Sequence, residues 1–219
     1  MKLFLCTVCA CAALGFASTA QAGSIFADTV LEYSESAAGI GGPGTNPNGG
    51  GGGLAQNAEV PLSHVTDGNS STFISLPTGT FVSLGFSTGF ITDGTGNDLF
   101  IDEIGNGGED ADIFVSEDFG STFVFLAKAL GNQTNHYDFA NFSTELASFG
   151  SEIKVNAVKV VGLDNGGSAP GFDLTFVEGL DGSVVEEPQG PPAVPLPAGL
   201  PLALSAFAAF GIVRSRRKS

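Results

Sequence analysis

Between residues 60 and 178 the chain is written in short apolar runs punctuated by Gly, Asp and Asn. Val82, Leu84 and Phe86 alternate with Phe81, Ser83 and Gly85, and Ile113 and Val115 alternate with Asp112, Phe114 and Ser116. Successive side chains of an extended backbone point to opposite sides, so this period of two predicts strands that each bury one face. Residues 25–33, 123–127 and the valine-rich 153–161 predict further strands. Residues 92–97, 117–120 and 164–167 supply the residue types that accept positive φ at tight connections. Only residues 143–149, stopped by Gly150, carry helical spacing. Strands without long helices call for antiparallel sheets, and two facing sheets are a compact way to bury most of the 19 phenylalanines. The predicted fold is all-β, an antiparallel β-sandwich of jelly-roll type over residues 23–183.

Two segments read differently. Residues 39–53 are almost wholly Gly, Pro, Asn and Thr, a composition that predicts a flexible loop. The segment has no G-x-x-x-x-G-K-[ST] pattern and no nearby Lys or Arg, which argues against a phosphate cradle. Residues 184–193 are rich in Pro and predict an extended linker.

The two ends carry addresses. Lys2, the apolar residues 3–17 and Ala20-Gln21-Ala22 predict a signal peptide over residues 1–22, with Ala20 and Ala22 read by signal peptidase after export through the Sec translocon. Cys6, Cys9 and Cys11 all lie inside it, so the mature chain holds no thiol. Disulfides, zinc ribbons and thiol catalysis are thereby excluded. At the other end, residues 196–213 carry no charge and, at about 1.5 Å per residue, reach roughly across one hydrocarbon core. Arg214, Arg216, Arg217 and Lys218 hold that end on the cytoplasmic side. Val194-Pro195-Leu196-Pro197-Ala198, the apolar run and the basic cluster, in that order, resemble the VPLPA variant of the PEP-CTERM sorting signals of Gram-negative bacteria. The resemblance implies an inner-membrane intermediate cut near Val194–Ala198 by an exosortase, and delivery to the cell surface or extracellular matrix.

Between the removable ends three lysines, Lys128, Lys154 and Lys159, face 23 acidic residues. Such a chain repels nucleic acid and anionic membranes and attracts cations. Solubility in a saline exterior and a specific role for calcium are both compatible with that balance.

Within the body, Asp67, Gly68 and Asn69 gather two side-chain oxygens about a sharp bend, and the Thr72 hydroxyl is placed to close the loop. Hard oxygen ligands with a glycine suit structural Ca²⁺, and the same residues suit an Asx-turn between strands. The stretch resembles the calcium loop of discoidin-like, galactose-binding-like sandwiches, a family that includes sugar-binding modules. The resemblance implies that Glu178, near the end of the last strand, completes the site. Asp93-Gly-Thr-Gly-Asn-Asp-Leu-Phe-Ile-Asp-Glu103, Glu109-Asp-Ala-Asp112, Ile113-Phe-Val-Ser-Glu-Asp-Phe-Gly120 and Gly171-Phe-Asp-Leu174 also resemble a sandwich domain widespread in bacterial surface proteins. Asp98, Glu103, Glu109 and Asp173 are expected either at one end of the sandwich or as solvent-facing turn residues. His64 and His136 fit no catalytic or zinc pattern, and no catalytic residue is assigned. The expected role is non-enzymatic adhesion, with extracellular polysaccharide as the partner; a calcium-dependent carbohydrate-binding module is the alternative and a glycan-active enzyme the third reading. Against sugar binding stands the aromatic inventory, which has no Trp and only Tyr33 and Tyr137.

Overall fold

A computed structural model describes residues 23–34, 48–51, 54–105, 108–131, 133–165 and 171–186. The signal peptide at 1–22, residues 35–47 and the sorting signal at 194–219 lie outside the described residues. The chain divides into two compact units, residues 1–187 and 188–219, and the second lies wholly outside them. Among the described residues no helix is long and apolar enough to cross a membrane.

The strands are β1 (Ile25–Phe26), β2 (Thr29–Ser34), β3 (Asn48–Gly51), β4 (Leu54–Glu59), β5 (Thr72–Leu76), β6 (Phe81–Gly85), β7 (Gly89–Ile91), β8 (Leu99–Glu103), β9 (Ala111–Ser116), β10 (Val124–Ala129), β11 (Asn135–Tyr137), β12 (Ala157–Gly162), β13 (Phe172–Gly179) and β14 (Val184–Glu186). One sheet runs β11-β8-β13-β5-β3-β4 with β1 beside β13, a second runs β10-β9-β12-β6-β2, and β14 pairs β7. The pairings are antiparallel throughout the described residues. Ile74, Leu99, Ile101, Phe172, Leu174 and Val177 of the first sheet join Val82, Leu84, Ile113, Val115, Val158 and Val160 of the second in one core cluster. The alternation in β6 and β9 thus selects the inward residues, as the period of two requires.

The chain departs from its sequence pattern in four places. Residues 25–33 form two strands in different sheets. At Ala27 and Asp28 the backbone crosses over: the Ala27 amide donates to the Val177 carbonyl and the Asp28 amide to the Gly85 carbonyl, at 2.9 and 3.0 Å. The Asp28 carboxylate anchors the crossing by accepting from the amide and hydroxyl of Ser87.

Part of the glycine-rich segment is sheet. β3 lies between β4 and β5, with Gly49 opposite Ile74 and Gly50 opposite Phe73. A ladder needs backbone groups rather than side chains, and here glycine is required, because a Cβ at Gly49 would collide with the Phe73 carbonyl oxygen.

The start of the Pro-rich tail also pairs. Val184, Val185 and Glu186 stand opposite Ile91, Phe90 and Gly89, and Val184 is buried. The first proline of that tail is Pro188, so these three residues keep the amides a ladder uses. Finally, the helical spacing at residues 143–149 becomes one 3₁₀ turn, Glu145–Phe149, which ends at Gly150 as the sequence indicates and follows another at Phe139–Phe142.

Gly49→Ala is expected to cost about 1–3 kcal/mol by overpacking against the β5 backbone. Urea unfolding of the variant beside the parent checks this; an unchanged midpoint would refute the proposed close approach.

Candidate functional site

A 3₁₀ turn, Leu62–Val65, leads into the loop before β5. Gly68 holds φ at +63°, a left-handed conformation that favours glycine. Around it the Asn69 amide donates to Asp67 Oδ1 at 2.9 Å, and Thr72 Oγ1 donates to Asp67 Oδ2 at 3.1 Å. The Ser71 amide donates to Asn69 Oδ1 at 3.0 Å, and the Thr72 amide to the Asn69 carbonyl at 3.2 Å. The fold therefore brings Asp67, Asn69 and Thr72 into one hydrogen-bonded turn, with Asp67 and Asn69 exposed and Thr72 buried. Its oxygens have the hardness Ca²⁺ prefers, and its internal donors close the turn by themselves.

Glu178 comes from the other end of the domain sequence. It is half-buried on β13, directly opposite Phe26 of β1. Phe26 is also the neighbour of the loop, since a Cβ at Gly68 would lie 3.3 Å from its ring. The loop and Glu178 are thus both adjacent to one aromatic side chain that is 40% exposed.

Of the four acids expected either at one end of the domain or as solvent-facing turn residues, three meet, and Glu109, Asp173 and Asp98 are buried rather than solvent-facing. Glu103 ends β8, Asp173 lies on β13, and Glu109 precedes β9. Burial raises the Asp173 carboxyl to about 8, aided by Glu109 and Glu103 and opposed by its hydrogen bond from Ser75. Burial likewise lifts Glu109 to about 7, with Asp164 and Glu103 adding like charge.

Asp98 belongs to a different cluster. Fully buried, it accepts from the Gly94 amide at 2.8 Å, the Phe139 amide at 2.7 Å and the Ser183 hydroxyl. One carboxylate so ties three segments of chain together. Asp93 and Asp138 bring ligand atoms within 4.8 Å of those of Asp98. Partial burial, followed by the Asp98 and Asp138 charges, raises the Asp93 pKa above its ordinary value. Asp138 also caps the Phe139–Phe142 turn by accepting from the Ala140 amide at 3.0 Å. Nothing local in the sequence joins Asp138 to Asp93 and Asp98; its one signal is its place immediately before a short helical turn.

The tyrosines offer no platform. Tyr137 is buried against Phe142 with its ring in the core cluster, and Tyr33 packs against that cluster. Among the described residues the exposed phenylalanines are Phe26, Phe119 and Phe125.

No protein-family model matches the chain. No curated protein matches it either. Among solved structures, a family 89 glycoside hydrolase from Clostridium perfringens, in complex with PUGNAc, is 14% identical with a TM-score of 0.38, over 64% of this chain and 14% of that one. A truncated AlyQ with CBM32 and alginate lyase domains is 13% identical with a TM-score of 0.40, over 75% of this chain and 34% of that one. The chain thus spans a small part of the length of either structure.

The buried acids set a direction for pH. Unfolded Asp and Glu titrate near about 4, so the folded chain keeps protons on Asp173 and Glu109 that the unfolded chain releases. Their contribution to stability therefore falls as pH rises from about 4 to about 8 and levels off above that. Asp173→Asn keeps an acceptor for Ser75 and removes the titration. Urea midpoints measured across this window should fall less steeply for the variant, leaving it the more stable of the two at the alkaline end. Parallel profiles would count against a protonated Asp173.

Proposed function

We propose that the chain is an exported cell-surface or extracellular-matrix protein whose β-sandwich, of jelly-roll, galactose-binding-like type, adheres to polysaccharide without acting on it. The observation that carries this reading is the surface at Phe26. An exposed ring lies beside the Asp67–Asn69 turn and opposite the Glu178 carboxylate. Sugars present apolar C–H faces and hydroxyls together, and a ring flanked by oxygen acceptors matches both.

The ends of the sequence support export. A leader cut after Ala22 leaves a thiol-free, acidic body suited to an oxidising, saline exterior. In this reading the Sec translocon delivers the chain, residues 196–213 hold it as an inner-membrane intermediate, and an exosortase-type enzyme cuts at Val194–Ala198 with Arg214, Arg216 and Arg217 as the stop. Deleting residues 214–219 should then alter processing or surface retention in the producing cell. Identical behaviour of the truncated chain would remove the sorting role.

A second reading makes adhesion calcium-dependent. Asp67, Asn69, Thr72 and Glu178 would hold the ion, and the clustering of three of these in one turn favours it. Calcium bound only by the folded state would stabilise it by mass action. A chelator should accordingly lower the melting temperature of the parent and leave Asp67→Asn unaffected. Equal curves with and without chelator would leave the turn as a purely hydrogen-bonded one.

A further inference from the structure

The surface at Phe26 is one end of a longer feature. Phe26 on β1 stands opposite Glu178 on β13, Glu178 opposite Phe100 on β8, and Phe100 opposite His136 on β11. Four residues on four adjacent strands therefore form one straight row on a single face of the sheet. With about 4.8 Å between strands, the row runs roughly 14 Å. It is the outward face, because Ile25, Val177, Leu99, Ile101 and Tyr137, the residues next to the row, all belong to or pack on the core cluster.

A bulge in β13 packs a further ring against the underside of the same row. Leu174 pairs with Glu103 and Phe176 with Asp102, so β13 advances two residues while β8 advances one. The extra residue, Thr175, shifts the phase: Phe172 and Leu174 face the core, whereas Phe176 and Glu178 face out. The Phe176 ring meets Phe26 at 5.2 Å and Phe100 at 5.7 Å, both edge to face, and the Phe100 ring stacks on His136 at 4.5 Å. Phe26, Phe176, Phe100 and His136 are a continuous chain of rings across four strands, with Phe26 and His136 exposed at its ends, Phe100 half-buried between them and Phe176 buried beneath as their support.

We infer that this row of rings is the polysaccharide-binding surface, and that its ligand is an uncharged glycan lying across β1, β13, β8 and β11. The inference rests on the adhesion reading and deepens it. Rings give sugar C–H faces a place to stack, and Glu178 and His136 supply hydrogen-bonding groups for hydroxyls within the same row. Charge selects the class. Glu178 sits in the row, Asp102 opposite Phe176 and Asp67 in the adjoining turn, while between the signal peptide and the sorting signal three lysines must offset 23 acids. An anionic polysaccharide would be repelled at this surface, and an uncharged one meets no such penalty.

Affinity electrophoresis of the purified full chain tests this, with hydroxyethylcellulose and galactomannan as uncharged probes, polygalacturonate as the anionic one and chitosan as the cationic one. Retardation by an uncharged probe is expected, weakened about ten-fold by Phe26→Ala and by Phe100→Ala. Phe125→Ala, which removes an exposed ring from the other sheet, should bind like the parent. Melting curves accompany each variant, and Glu178→Gln offers a change with little loss of packing, also expected to weaken binding. Parent retardation that survives the row substitutions overturns the row while leaving adhesion intact. Retardation by chitosan alone shows that net charge does the binding and overturns the ring mechanism, and retardation by polygalacturonate overturns the charge argument. Rings covered by another part of the chain would lower the melting temperature on substitution and leave retardation unchanged, which also overturns it. No retardation by any probe overturns both the row and the adhesion reading.

Discussion

The single inserted residue in β13, Thr175, is the constraint on which the surface and the interior both depend. Strict alternation from Phe172 onward would put Phe172, Leu174, Phe176 and Glu178 on one face, burying a carboxylate among core residues at a cost of several kcal/mol. With Thr175 as the extra residue, Phe172 and Leu174 fill the core, Val177 takes over inward packing, and Phe176 and Glu178 turn outward. Thr175 is itself fully buried, and its hydroxyl bonds to Asp102 on the facing strand, so the irregularity is satisfied rather than left open. β13 is also held from both sides, by β8 along one edge and by β5 and β1 along the other. A strand so enclosed cannot slip by one residue without exchanging its apolar and polar sets.

The same strand explains how the acids are accommodated. Asp173 lies just before the bulge and is almost fully buried, with the Ser75 hydroxyl as donor. Its neighbours are other carboxylates, so protonation is the route by which it remains inside. Asp98 solves the problem differently. Its two oxygens accept from two amides and a hydroxyl, donors that replace the hydrogen bonds water would give. Two buried carboxyls in one small domain thus use different devices, like-charged neighbours around Asp173 and a set of donors around Asp98.

What could be read from the sequence follows from how local its cause is. The alternation in β6 and β9, the stop at Gly150 and the Asp67–Thr72 turn are set by neighbouring residues, and they stand in the structure where the pattern puts them. For Glu103, Glu109, Asp173 and Asp98 the sequence left a shared end and solvent-facing turns both open; burial of Asp98, Glu109 and Asp173 removes the second, and Asp98 stands apart with Asp138, which is distant in the chain. β3 and β14 were hidden because backbone pairing leaves no mark in glycine or in a short valine pair beside prolines. Least legible was the ring row. Phe26, Glu178, Phe100 and His136 are brought together by the register of four strands that are not consecutive in the chain, with a bulge resetting their phase. Each phenylalanine, taken alone, reads as core.

The placement of the lysines bears on what kind of surface this is. Lys159 lies over the rings of Phe81 and Phe123, at 4.0 and 5.0 Å from their centroids, and Lys154 lies over Phe90 at 5.6 Å. Ion pairs join Lys154 to Glu152 at 3.2 Å and Lys128 to Asp110 at 3.7 Å, and such exposed pairs contribute little. The few cations therefore serve local packing, and most of the negative field is left to counterions. That field is tolerable where salt screens it within about 10 Å, and contacts made through rings and hydroxyl-directed hydrogen bonds are insensitive to the screening. An acidic body that binds through a ring surface would thus hold its ligand at low and high salt alike.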